Sequence, residues 1–341
     1  MNTPLVAPAA PLPDWAANAV NLADLRLGAR AIAASDEFFA PLVRMLAPGP
    51  ATFVPGLYDA NGKWMDGWES RRRRGPGNDW SIVRLGAAGA VVGVDVDTSF
   101  FTGNYPPAFG LEACHSDAEH PGDAVGWVPL LPPTSLSGNS HQFFRVTAPQ
   151  VFTHVRLSLF PDGGVARLRI YGHPVPEWLG AAESRPEWDL GALRNGGRAL
   201  AWNDAHFGQA SNLLLPGRGA DMGDGWETRR RREPGHDWCV LALGAPGEIG
   251  RIELDTAHFK GNYPDRASLQ AAWAPGLTGP ALVAACQFWP TLLPESKLQA
   301  DDVHVFAPEA GLRALGKVSH VRLNIHPDGG VSRLRLFGRP A

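Results

Sequence analysis

Lysine is scarce in this chain. Of its 31 basic residues four are lysines (Lys63, Lys260, Lys297, Lys317), and 34 acidic residues outweigh them to a net charge of −3. A nucleic-acid surface needs a net positive field to displace counterions, so this balance argues against one despite the arginine content. The three cysteines (Cys114, Cys239, Cys286) are odd in number and show no CxxC spacing. That excludes a disulfide framework and a cysteine zinc site, and suits reduced thiols in the cytosol. No apolar run approaches the roughly 18 residues of a membrane helix. The start, MNTPLVAPAAPLPDW, has neither a basic n-region nor a continuous apolar stretch, so no secretory signal is read. HExxH and HxH are missing, and helical periodicity is sparse.

What the chain does have, it has twice. Residues 66–80 read DGWESRRRRGPGNDW and residues 224–238 read DGWETRRRREPGHDW, twelve of fifteen positions being identical at an offset of 158. The segment Asp97–Pro106 matches Asp255–Pro264 at the same offset. HVRLSLFPDGGVARLRIYG (154–172) matches HVRLNIHPDGGVSRLRLFG (320–338) at 166, and Asp36 matches Asp204 at 168. An offset of this size is a whole domain, too long for a solenoid or propeller unit. Two homologous domains are therefore predicted, 1–178 and 179–341, each inside the usual domain size.

Both halves read as all-β. Short Val-, Ile- and Leu-rich runs such as Ser81–Leu85, Val91–Val96 and Val155–Leu159 are punctuated by 39 glycines and 31 prolines. Phe160–Val165 and His326–Val331 have the Pro-Asp-Gly chemistry of hairpin turns. Strands at this spacing predict a β-sandwich, or jelly roll, in each half. One short helix is expected near Ser35–Phe39, capped by Ser35 or Asp36.

If the arginine segment is a strand, side chains alternate between its faces. Trp68, Ser70, Arg72 and Arg74 then share one face and Glu69, Arg71 and Arg73 the other. A buried guanidinium needs a carboxylate partner, and Glu69, Asp79, Glu227 and Asp237 are the nearest. Arginine suits this place better than lysine because its planar fork grips carboxylates bidentately.

These long motifs, all present twice, resemble the allantoicase (allantoate amidinohydrolase) family from about Asn21 to Pro340. The resemblance implies hydrolysis of allantoate to urea and ureidoglycolate in purine catabolism. It also implies two jelly-roll domains of the galactose-binding-like type, and a homo-oligomer, a trimer or hexamer. Allantoate carries one carboxylate and two ureido groups on a single carbon. Its site needs cationic or N–H donors, acceptors for the ureido N–H groups, and an acid/base for the departing urea. Glu69, Arg71, Arg73, Asn104, Arg229, Arg231 and Asn262 are the candidate substrate-binding residues, and His236, Asp237 and Glu227 the candidate catalytic ones.

The histidines separate the copies. His154/His320 and His141/His304 hold corresponding places, whereas His236 and His258 stand where the first copy has Asn78 and Phe100, and His115 stands opposite Trp273. Duplicated domains specialise through such differences, so His236, in a Gly-rich turn before Asp237, is the first choice for the acid/base. No metal site is assigned; manganese or zinc on His304 with Asp301 and Asp302, or on His115 with Asp117, Glu119 and His120, is the weaker alternative. The competing function class is a non-catalytic tandem jelly roll that binds carbohydrate or another small ligand, since fold alone does not fix function. Carbohydrate platforms ask for exposed aromatics rather than four arginines.

Overall fold

The structure, a computed structural model, describes residues 3–179 and 186–341. The chain forms two compact units, 1–175 and 176–341. The principal strands of the first are β1 (Arg30–Ala34), β2 (Trp68–Glu69), β3 (Asp79–Asp97), β4 (Ala108–Cys114), β5 (Val128–Ser135), β6 (His141–Arg145), β7 (Val151–Phe160), β8 (Gly164–Val165) and β9 (Arg167–Pro174). Those of the second are β10 (Arg198–Trp202), β11 (Trp226–Glu227), β12 (Asp237–Asp255), β13 (Arg266–Ala272), β14 (Thr291–Lys297), β15 (Val303–Phe306), β16 (Val318–His326), β17 (Gly330–Val331) and β18 (Arg333–Pro340). The α-helix among the described residues, α1 (Gly279–Cys286), precedes β14.

Each unit is organised by one 19-residue strand, β3 or β12, which is too long for a single sheet to cover. The first half of β3 pairs with β7 and β1, and β7 continues the sheet to β4 and β5. Its second half pairs with β9 and β6. The long strand thus passes from one face of a β-sandwich to the other. β12 repeats this plan with β16, β10, β13 and β14 on its first half, and β18 and β15 on its second. Leu111, Val155, Leu157 and Leu159 in the first unit, and Leu269, Val321, Leu323 and Ile325 in the second, are fully buried. Alternation of apolar residues along these strands put them there.

Three local expectations are corrected. The turns at 160–165 and 326–331 do not close hairpins: β7 and β9 flank β3 and pair with it rather than with each other, so each turn carries the chain between sheets. The arginine segment is strand only at Trp68–Glu69 and Trp226–Glu227, and the residues after it are irregular, so the two-face alternation does not apply. Residues 35–39 are not helical, since Asp36 is drawn away to bind the backbone of Arg71; the nearest helical turn is 3-10, at Leu42–Leu46.

Candidate active site

The duplicated segment is held from several directions, by the same scaffold in both copies. The indole of Trp68 is fully buried and donates from Nε1 to the Asp36 carbonyl at 2.8 Å; Trp226 does the same to Asp204 at 2.9 Å. The Arg71 backbone N–H donates to Asp36 Oδ1 at 2.9 Å, and its guanidinium reaches Oδ2 at 2.6 Å. Arg229 repeats the backbone bond to Asp204 at 2.8 Å. Two residues further on from each, the Arg73 and Arg231 N–H groups donate to Asp162 and Asp328, both at 2.8 Å. Arg73 Nη1 lies 2.9 Å from Asp79 Oδ1 and Arg231 Nη1 lies 2.7 Å from Asp237 Oδ1, each carboxylate being 2% exposed. Ser35 in one copy and Asn203 in the other complete the ring of donors around that aspartate. Asn104 Nδ2 donates to Glu69 at 2.7 Å and Asn262 Nδ2 to Glu227 at 2.6 Å. Burial raises the Glu69 carboxyl above its ordinary value, against the amide of Asn104.

β4 with β7 in the first unit and β13 with β16 in the second differ in what they present. In the second unit, β13 and β16 floor an open cleft of about 530 Å³ lined by His236, Ser268, Gln270, Arg322, Asn324 and His326, with Glu295 and Arg313 among its other residues. An amide chain fixes the geometry. Gln270 Nε2 donates to the Trp289 carbonyl at 2.9 Å, which turns its Oε1 toward Asn324 Nδ2 at 3.2 Å. Asn324 Oδ1 then faces His236 Nε2 at 3.2 Å. In this arrangement Nε2 carries the proton and Nδ1 is the basic nitrogen of His236. The His326 ring lies 4.6 Å from that of His236, with its Nε2 3.2 Å from Ser268 Oγ. Burial lowers both imidazoles below the ordinary histidine value, and the charges of Arg322 and Arg231 lower His236 further. His236 is thus a neutral base held among hydrogen-bonding amides.

At the counterpart positions of the first unit this cleft is remodelled. Phe160 replaces His326, Gly110 replaces Ser268, Ser158 replaces Asn324, and the Phe160 ring lies over Gly110, 3.3 Å from where a Cβ would stand. Asn78, opposite His236, donates to the neighbouring Asp79 carbonyl.

Comparison with known proteins decides the family. The allantoicase repeat matches residues 20–175 and again 188–341. Probable allantoicase 2 of Burkholderia pseudomallei is 58% identical over the whole of both chains, and probable allantoicase 1 of Burkholderia mallei 57% over 99% of each. The chain belongs to the allantoicase family. The crystal structure of the Saccharomyces cerevisiae allantoicase superposes with a TM-score of 0.80 at 36% identity, covering 94% of this chain and 93% of that one.

Within this allantoicase fold, the residues singled out in the sequence fall into two groups. Glu69, Arg71, Arg73, Asn104, Glu227, Arg229, Arg231, Asp237 and Asn262 sit in the duplicated ring of hydrogen bonds, outside the residues lining the cleft. His236 lines the cleft. His258 donates from its backbone to Asp301 and contacts the Gly219 carbonyl through Nε2 at 2.7 Å. Both ring nitrogens of His304 are engaged by backbone, and Glu119 pairs with Arg30. Among the described residues no three His, Cys, Asp or Glu side chains are grouped to hold a metal ion. Ser268, Gln270, Asn324 and His326 were missed by sequence reading. The comparison that found His236 would have found them, since each differs from its counterpart in the first copy.

Proposed function

We propose that this protein hydrolyses allantoate to ureidoglycolate and urea, and that the second-unit cleft is where it does so. In the net reaction the bond from the central carbon to one ureido nitrogen breaks. A water oxygen bonds to that carbon, and one water proton leaves with the urea nitrogen. His236 is suited to move that proton. Its imidazole is neutral near pH 7 and its Nδ1 lone pair is kept available by the Asn324 contact on Nε2. Asn324, Gln270 and Ser268 supply the donors and acceptors that ureido groups require. The carrying observation is this neutral histidine in an amide-lined cleft, in a chain that matches allantoicases end to end. The three buried free thiols suit a reducing, cytosolic setting for this chemistry. Urea release from allantoate by the purified protein tests the reading; folded protein that releases none, with or without a divalent metal, contradicts it.

A further inference from the structure

Arg322 sits on the floor of the cleft, 6% exposed, and stacks on Trp238 with its guanidinium carbon 4.9 Å from the ring centre. Among the described residues no carboxylate is placed to pair with it, and its Nε has no hydrogen-bond partner. Its counterpart in the first unit is fully neutralised. Arg156 donates to Glu112 at 2.8 Å and to Asp123 at 2.7 Å, with Trp127 beneath it. The cross-strand partner of Arg156 is Glu112, and that of Arg322 is Gln270. One carboxylate has thus been exchanged for a neutral amide at this place. Glu295, the acidic residue of the cleft, is paired with Arg266 at 3.6 Å. The thiols of Cys239 and Cys286 lie near Arg322, and that of Cys286 is its hydrogen-bond partner, but burial raises both, so neither supplies negative charge. A buried, unpaired guanidinium costs several kcal/mol unless an anion meets it.

We propose that Arg322 receives the substrate's carboxylate, and that each chain therefore holds one such site, in its second unit. This rests on the reading of the substrate as allantoate. A planar guanidinium backed by an indole face offers two parallel N–H donors to a carboxylate. Bound so, the acid group would direct the ureido arms toward Asn324, Gln270 and the base at His236.

The test uses the full chain and N-carbamoylglycine, which has the carboxylate and one ureido group but only one such arm. Calorimetric titration is expected to give one molecule per chain, and the carboxamide of the same compound is expected not to bind. Arg322→Gln should abolish binding and raise KM for allantoate by about 10- to 100-fold, as loss of charge-assisted hydrogen bonds does. Gln270→Glu imports the first copy's carboxylate beside Arg322 and should have the same effect with an unchanged or higher melting temperature. Arg156→Gln should leave binding intact. Two molecules per chain, equal binding of the carboxamide, or an unaltered KM in both Arg322→Gln and Gln270→Glu overturns the proposal while leaving the hydrolytic reading in place. Arg322-dependent binding in a protein that releases no urea would instead retain the anion site and remove the hydrolytic reading.

Discussion

Arg73 and Arg231 tie the duplicated segment to the body of each unit. Each donates its backbone N–H to one aspartate and its guanidinium to another, and the second is buried. Arg231→Gln would leave Asp237 without its cation. Because the arginine itself remains partly solvated, a loss of about 1–3 kcal/mol in denaturant unfolding is expected, below the full penalty for a buried pair. An unmoved unfolding midpoint would show that the pair does not hold the segment. His236 makes the opposite forecast. His236→Asn installs the first copy's residue, so kcat should fall by about 10²–10⁴-fold while the melting temperature changes little. The acid limb of the kcat/KM profile should lie below the ordinary histidine range, since burial and two arginines disfavour the imidazolium. The same shift links to stability. His236 protonates more readily in the unfolded chain, so its contribution is present above pH about 6.5 and is lost as pH falls toward its folded value. His141 runs the other way. Asp95 Oδ2, 2.9 Å away, raises it, so that contribution is full below pH about 6.5 and lost as pH climbs through the raised value. His141→Asn should therefore destabilise more at pH 6 than at pH 9, and an equal effect at both would contradict the ion pair.

At the scale of elements, the strands were legible and their partners were not. Alternation identifies β7 and β16 in the sequence, but it carries no sign that β3 and β12 are long enough to serve two sheets, which is what turns an expected hairpin into a crossing. The arginine run was misjudged for a similar reason. Its N–H groups bond to Asp36 and Asp162, 35 and 89 residues away, and no local pattern reports such partners. The glycine pair of the PDGG turns has a visible cause only in three dimensions. A Cβ on Gly164 would stand 2.0 Å from the Phe101 ring, and one on Gly330 2.0 Å from that of Phe259. Gly164→Ala and Gly330→Ala should each cost about 1–3 kcal/mol by overpacking. Phe101→Leu should recover part of the first loss, and strict additivity in that double-mutant cycle would speak against the contact.

Across the whole chain, some features recur in both units and others differ between them. The tryptophan anchor, the arginine–aspartate pairs and the asparagine–glutamate bonds occur in both units. The histidine cleft, with its amide relay, is built from residues that differ between them. Residues that recur were visible in the sequence at once, whereas most of the cleft was hidden among differences between copies, with His236 its visible member. Catalysis in the second unit alone is put to the test by the rate of urea release from allantoate in wild type, His236→Asn and Asn78→Ala, measured side by side. Full activity in wild type and Asn78→Ala, with a 10²–10⁴-fold fall in His236→Asn, is the expected result. Equal losses in the two variants, or undiminished release by His236→Asn, would contradict it.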